Sequence, residues 1–510
     1  MIDRLHLWPA LVVIAMFGVV DSLGTDIIVP DDQPTVQDAL NVAQPGDTVV
    51  LSTGSYGVFF GLSIPSDDIT IRGATGNPLD VSIGCDLGAT LIDVNGLRGI
   101  VVEDLTISTC RTAVRAVTGA EITLRNVIFT QNDPISNPSS VVFSILADVI
   151  VEDSLFALNE MSGSSLTGAI GAFGGSLEVR RSTFFLNTAI PDPTAPSRFG
   201  AGIVAGAIFD PPGGADRSEV LVEDSAFFSN EADFGAAIAV VGGNVSVDRC
   251  RFSENVASYG GAVFVRDAST PDGPVPGTLS ISNSVMNGNR ATLFQGLNGL
   301  GGAAAVVPGG ELSIVNTTFA GNSAATSGGA IHATASSPAL VANTLFSANT
   351  PDDNAGVPGV MLASSLSAPP LEIRFTDFEG ADGTPGTADD DLSLAPGSPA
   401  IDAGDNELAT GLFDRAGQPR FVDDPGTEDT GSGAGPGDPI VDLGALEFQA
   451  TPCTLADLAP PFGIVDLDDV DAFIPLFIIA DSSVDFVPPA GIVDLDDLDA
   501  FISAFLAGCP

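Results

Sequence analysis

Short runs in which apolar and polar residues alternate cover most of the chain, and one run recurs with small variations. It reads apolar-x-apolar, a polar pair, then Ser/Thr-x-Phe-x-x-Asn. Copies are VIVEDSLFALN at 149–159, LEVRRSTFFLN at 177–187, VLVEDSAFFSN at 220–230 and VSVDRCRFSEN at 245–255. They continue as LSISNSVMNGN at 279–289, LSIVNTTFAGN at 312–322 and ALVANTLFSAN at 339–349. The closing residues are Asn132, Asn159, Asn187, Asn230, Asn255, Asn289, Asn322 and Asn349. A second, Gly-rich element falls between copies: GAIGAF from 168, GAAIAVV from 235, GGAVFV from 260, GGAAAVV from 301 and GGAIHA from 328. Alternation with period two predicts short strands, and a repeat of this length with two or three strands predicts one coil of a solenoid. The fold class expected is all-β, a right-handed parallel β-helix.

Each repeated position then has a physical role. Gly pairs supply positive-φ corners. The closing Asn tolerates the left-handed turn and, stacked, hydrogen-bonds from coil to coil. Phe129, Phe156, Phe184, Phe227, Phe252, Phe319 and Phe346 should form one interior column, with Met286 as the odd member. Cys250 stands where other copies carry Ser182, Ser225 and Ser284, so it reads as a small interior residue. Long gaps predict loops at 190–200, 210–218, 267–278 and 291–299. Near the start, a short amphipathic helix at about Thr35–Ala43 caps the first coil, and Pro45-Gly46-Asp47 turns into the first strand.

The pattern changes twice towards the end. Residues 389–448 are turn-rich and acidic, opposed only by Arg415 and Arg420. They read as a cap on the open end of the solenoid with buried Asp–Arg pairing, the alternative being calcium bridging the clustered Asp residues. Then GIVDLDDVDAFIPLF at 463–477 repeats as GIVDLDDLDAFISAF at 491–505. Each copy predicts a loop feeding a helix, with Asp466 and Asp494 at the positive helix ends. Phe473, Ile474 and Phe477, and Phe501, Ile502 and Phe505, give each helix an apolar face to pack on the other.

Composition sharpens the picture. There are 65 acidic residues against 17 Lys plus Arg, all of them Arg, and the net charge is −48. Nucleic acid is thereby excluded as a partner. Such a surface keeps a long solenoid dispersed and favours cations, neutral glycans or basic proteins. Arg4, the apolar run from Leu11 to Val20 and Ser22-Leu23-Gly24 predict a secretory signal over 1–24. No later stretch is long and apolar enough to span a membrane. Export permits disulfides. Cys453 and Cys509, flanking the last segment, are the expected bridge, and Cys85 and Cys110, about one coil apart, could meet on stacked turns.

The repeats resemble the pectate-lyase-like β-helix superfamily, and their GGA-apolar plus FxxN phrasing is most similar to polymorphic outer-membrane protein repeats. Residues 26–53 look like the usual opening of such helices. Ser398-Pro399-Ala400-Ile401-Asp402-Ala403-Gly404, Arg420, and Asp442-Leu443-Gly444-Ala445 with Glu447 resemble a choice-of-anchor Q segment. The terminal duplication, with Cys453 and Gly508-Cys509, resembles a GC-type dockerin of exported planctomycete proteins. That resemblance implies Ca²⁺ ligands at Asp457, Asp466 and Asp469, and at Asp485, Asp494 and Asp497. Ala459, Pro461, Val487 and Pro489 occupy two ligand positions of each loop, which should weaken Ca²⁺ binding. The domains expected are the signal at 1–24, the β-helix at 25–380, the acidic cap at 381–450 and the dockerin-like repeat at 451–510.

No catalytic constellation stands out. After the signal, His332 is the single histidine, so neither a zinc pair nor a Ser–His–Asp set is available. Arg180, Arg181, Arg249 and Arg251 recur on neighbouring coils and read as a solvated ladder opposite Asp. Asp67-Asp68 and Asp352-Asp353 sit in turns. The function expected is an exported, non-catalytic rod of the cell surface or exterior: an adhesion, envelope or glycan-contacting protein. Its dockerin-like tail would attach it to a cohesin-like or sorting partner. The alternative is a polysaccharide lyase or glycoside hydrolase working in a groove along the helix.

Overall fold

The computed structural model describes residues 24–507 apart from 86–89, 134–139, 163–165, 167, 191–197, 211–213, 272, 295, 338, 354–359, 425, 436–437, 450–454, 457, 459–466 and 488–491. The expected signal and both Cys453 and Cys509 lie outside the described residues.

The alternating runs do form a parallel β-helix. Twelve parallel pairings link thirteen strands of one face, from Asp26–Val29 through Thr48–Leu51 to Ala339–Ala342 and Val360–Ala363. A second face stacks the Phe strands, such as Leu155–Ala157, Thr183–Phe185, Ala226–Phe228 and Arg251–Ser253. A third stacks the Gly-led strands, such as Ile238–Val241, Val263–Arg266, Ala304–Val306 and Ile331–Ala333. Identical repeat positions pair in register because every strand has a side-chain period of two, and a one-residue slip would turn the apolar set outwards.

The interior columns fall where the repeat places them. Phe129, Phe156, Phe184, Phe227 and Phe252 stack with ring centroids 4.5, 4.8, 4.6 and 5.0 Å apart. Met286 follows, then Phe319 and Phe346 at 5.1 Å. The Asn column is a continuous ladder. Asn132 Nδ2 donates to Asn159 Oδ1 at 3.0 Å, and the relay runs through Asn187, Asn230, Asn255, Asn289 and Asn322 to Asn349. A parallel relay links corners: Ser154 N donates to Ser182 Oγ and Ser182 N to Ser225 Oγ, both at 3.1 Å, and Cys250 N donates to Ser284 Oγ at 3.0 Å. The Cys250 thiol donates to the Asp248 carbonyl as the serines do to theirs, so the substitution preserves half of the corner.

The corners differ from expectation in one respect. The left-handed residue is not the Asn but the one before it: Leu158, Leu186, Ser229 and Glu254 have φ of 57, 52, 51 and 58°. The Asn stays in ordinary backbone because its amide must point along the rod to reach the next rung. A second left-handed corner falls on the polar pair, at Asp153, Arg181, Asp224, Arg249 and Asn283. The first glycine of each pair does take positive φ, at Gly260, Gly301 and Gly328, as does the single Gly235.

The helix Val36–Val42 covers the first coil with Val36, Ala39 and Leu40 buried, and Thr35 caps it by accepting from Asp38 N. Expected loops become antiparallel hairpins pairing Ala207–Asp210 with Gly214–Arg217 and Ala268–Thr270 with Gly273–Val275. Cys85 and Cys110 are bridged across stacked turns.

The acidic segment, expected as a cap on the open end, runs back along the side of the rod. From 370 to 449 its described residues carry the short helix Pro370–Ile373, one antiparallel pair, Phe375–Asp377 with Asp391–Leu394, and the isolated bridges Asp405–Ser432 and Phe413–Pro419, joined by turns and irregular chain. Its Ile373, Leu392, Leu394, Ile401 and Leu443 bury against Val285, Ala320 and Leu345 of the coils. Beyond it, helices Leu467–Ile478 and Leu495–Ala507 pack on each other, with Phe473 and Phe501 stacked at 4.0 Å. Ile474 and Ile502 are half exposed and line the groove between the helices rather than filling the contact.

Candidate functional site

The side segment is strongly acidic, with Arg415 and Arg420 its only basic residues from 389 to 448, and the coils position it. Asn343 Nδ2 donates to Asp405 O and Asn343 Oδ1 accepts from Asp405 N, both at 2.9 Å. Thr318 Oγ1 accepts from Ala445 N at 3.0 Å. Asn283 and Asn316 both donate to Thr410 O. Arg251 donates to the carbonyls of Thr387 and Asp390. Arg251 is therefore a clamp on this segment and not, as expected, a rung of the outer ladder.

Five carboxylates of the segment are buried: Asp390, Asp402, Asp414, Asp442 and Glu447. Arg420, fully buried, donates to the carbonyls of Gly444 and Ala445 and lies 3.5 Å from Glu447 Oε2. The expected buried pairing is thus Arg with Glu. Asp442 accepts from the N–H groups of Asp402 and Phe448, and Glu447 from those of Asp442 and Val422. Burial outweighs those bonds and holds both carboxyls above the usual range, with the Asp402 charge raising Asp442 further and the Asp442 charge raising Glu447.

Asp402 sits in a left-handed turn, φ 50°, whose carbonyl accepts from Thr430 N and Gly431 N at 2.9 Å. Its Oδ2 accepts from Asp424 N at 3.3 Å, and its Oδ1 is buried with no hydrogen-bond partner. A carboxylate oxygen of Asp402 and one each of Asp423 and Asp429 lie within 4.8 Å of one another. Burial first, then the charges of Asp423, Asp429 and Asp424, push the Asp402 carboxyl up to about 7. In the sequence Asp402 stands out only as part of a family-like phrase. Asp423 and Asp429 carry no local signal, because a turn-rich acidic stretch does not say which carboxylates meet.

The residues expected to ligate Ca²⁺ in the terminal duplication are otherwise engaged where they are described. Asp497, fully buried, accepts from Phe486 N, Val487 N and Asp494 N at 2.7, 2.9 and 3.0 Å. Backbone donors, that of Asp494 foremost, hold its carboxyl below the usual range. Asp469, also buried, accepts from Leu458 N at 2.6 Å. Asp494 accepts from Asp496 N, as a capping residue does. Asp457 and Asp466 lie outside the described residues. Among the described residues Asp469, Asp485, Asp494 and Asp497 do not gather into a three-carboxylate group. The two copies use Asp469 and Asp497 alike, each tying the preceding loop to its helix.

Catalytic groups fare no better. His332 is partly buried, with Nδ1 3.5 Å from Ser327 Oγ, and burial pulls its pKa down. Cys250 is fully buried, and burial pushes its thiol up to about 12, the reverse of a nucleophile. Arg180 pairs with Glu178 and Glu223, Arg181 with Asp153 and Glu152, and Arg249 with Asp224 and Asp248. Asp67 accepts from Arg98 N, and Asp352 and Asp353 accept from Gly328 N and Asn349 Nδ2, all turn bonds. One open depression of about 490 Å³ crosses the first face over Asn244, Thr278, Ser280, Glu311 and Ser313, with Leu340 and Met361 at one side. Among the described residues that line it, Glu311 is the one carboxylate.

No family profile and no curated protein matches the chain. Among solved structures, a pectate lyase, Pel9A, is 13% identical over 80% of this chain and 90% of its own, with a TM-score of 0.39. A PL6 family alginate lyase, AlyGC, is 12% identical over 74% and 60%, also at 0.39. The A-module of the Azotobacter vinelandii mannuronan C-5 epimerase AlgE4 is 12% identical over 64% and 93%, at 0.29. No helix of the described residues is long and apolar enough to cross a membrane.

Proposed function

We propose that this chain is an exported, non-catalytic rod of the cell surface or exterior, touching glycans or envelope proteins with its long faces. The observation that carries this reading is how the outward charges are used. Arginines on consecutive coils are taken up by acids of the same or the next coil, and Arg251 by the side segment. A surface of such ladders offers rigidity and solubility, not a converging acid and base. The depression on the first face, floored by Ser, Thr and Asn, has the character of a contact surface for neutral sugar hydroxyls. The helix pair at the C-terminal end, similar to a dockerin, would be the attachment module, with a cohesin-like or sorting partner.

The second reading, a polysaccharide lyase or glycoside hydrolase, is favoured only by the place of that depression across consecutive coils with Glu311 in it. One measurement separates the two. Purified mature chain is incubated with a panel of neutral and uronate polysaccharides, with Ca²⁺ present, and new reducing ends and unsaturated uronates are scored. Silence from protein shown to be folded is the expected result. Product release abolished by Glu311→Gln would overturn the rod and make the depression an active site.

A further inference from the structure

We propose that Asp402, Asp423 and Asp429 form a calcium site that fastens the side segment onto the rod. Acidic clusters on an acidic protein are common and mean little alone. Here a second observation points to a ligand. Asp402 is fully buried, and its Oδ1 has no donor. Among the described residues it is the one carboxylate oxygen among the buried side-chain atoms without a partner, the others of the segment being Arg415 Nε and Arg420 Nε. A buried, unpaired carboxylate oxygen beside two more carboxylates lacks positive charge from its surroundings. Arg420, the one fully buried cation among the segment's described residues, is committed to Gly444, Ala445 and Glu447. The charges acting on Asp402 are those of Asp423, Asp429 and Asp424, all negative.

The donor chemistry selects the ion. All three side chains offer hard oxygen, with no His or Cys in the group, which suits Ca²⁺ over transition metals. Oxygens sharing one Ca²⁺ at about 2.4 Å can be at most about 4.8 Å apart. The three carboxylates meet that bound as they stand. Graded exposure, from buried Asp402 through Asp423 to exposed Asp429, leaves an entry path for the ion and room for water to complete its shell.

Position decides what the ion would do. Asp402 lies three residues before Asp405, which is bonded twice to Asn343 of the coils. Asp402 N also donates to Asp442, and the stretch after it, through Gly444 and Ala445, bonds to Asn343 O and Thr318 Oγ1. A cation joining Asp402 to Asp423 and Asp429 would neutralise the repulsion inside the segment and lock the turns that grip two successive coils. This site is separate from the terminal duplication and stands whether or not the rod is catalytic.

The test is calorimetric titration of Ca²⁺ into the full chain and into Asp429→Asn and Asp423→Asn/Asp429→Asn, with Asp494→Asn as the control for the terminal loops. Asp429 is exposed, so the single variant should fold as the parent does, which circular dichroism checks. The site predicts one binding event fewer in the triad variants and none lost from the triad in Asp494→Asn. It also predicts that Ca²⁺ slows proteolytic release of the side segment at least tenfold in the parent and not in Asp429→Asn. Unchanged stoichiometry in the triad variants would overturn the site. An equal response to Mg²⁺ would overturn the choice of calcium. Binding without any change in proteolysis would overturn the fastening role.

Discussion

The coils between Phe129 and Asn349 and the side segment at 370–449 are both buried, packed structures, yet they treat polar groups in opposite ways. In the coils every rung hands its bonding need to the next: an Asn amide meets an Asn carbonyl, and a backbone N–H meets a Ser hydroxyl. The Asn and Ser columns are neutral, and their polar groups are satisfied by translation along the rod; the buried Arg198–Asp233 pair is a charged exception among the coils. In the side segment most of the buried polar groups are charged, one Arg against five carboxylates, with one carboxylate oxygen unpaired. Periodicity satisfies polar groups readily because each new coil solves the problem of the last. An aperiodic segment has to find a separate partner for each group, and where the chain supplies none an ion is the remaining solution.

The contrast can be broken or sharpened experimentally. The largest effect should come from Phe227→Ala, which removes a ring stacked on both sides in a fully buried column. It should cost about 3–5 kcal/mol in urea unfolding followed by circular dichroism. Retention of the parent midpoint would mean that coils unfold independently and the column is not shared. Next comes Asn255→Ala. It takes the acceptor from the Asn230 N–H and amide, and the donor from Phe227 O. The expected loss is roughly 1–3 kcal/mol for each group left unpaired.

Arg251→Met should act differently in kind. It removes two charge-assisted bonds to the side segment, worth about 1.5–3 kcal/mol together, and should free the segment to protease while the melting of the coils stays put. Coupled loss of both would show that the segment is part of the rod's cooperative unit. The close approach of Gly288 and Gly386 offers a second lever on the same seam: a Cβ at Gly288 would fall 1.7 Å from Gly386 O. The smallest effects belong to the outer ladder and the odd corner. Arg181→Gln, at a half-exposed ion pair, should cost about 0.2–1 kcal/mol and less in high salt. Cys250 should resist thiol reagents until the rod is unfolded, as its burial and raised pKa require.

Legibility in the sequence follows the same division. Phe, Asn, Ser and Gly columns can be placed from the amino-acid pattern because each recurs once per coil. The terminal helices are legible from their duplication, and their Phe473–Phe501 contact follows from helical spacing. Arg251 looks like a ladder rung because its neighbours Arg180, Arg181 and Arg249 do form ladders; only the returning segment gives it a different partner. The left-handed corners are expected one residue late, since a turn residue and a ladder residue share the same polar character in sequence.

The repeat by itself determined the parallel β-helix, its columns and their register, because a side-chain period of two and a recurring corner leave one way to stack apolar residues inwards. Tertiary structure alone decided where the segment after the last coil docks, which of its many carboxylates are buried, and that Asp402, Asp423 and Asp429 converge. Those contacts join positions with no common period, through turns whose geometry depends on the surface they land on, so no local pattern could encode them.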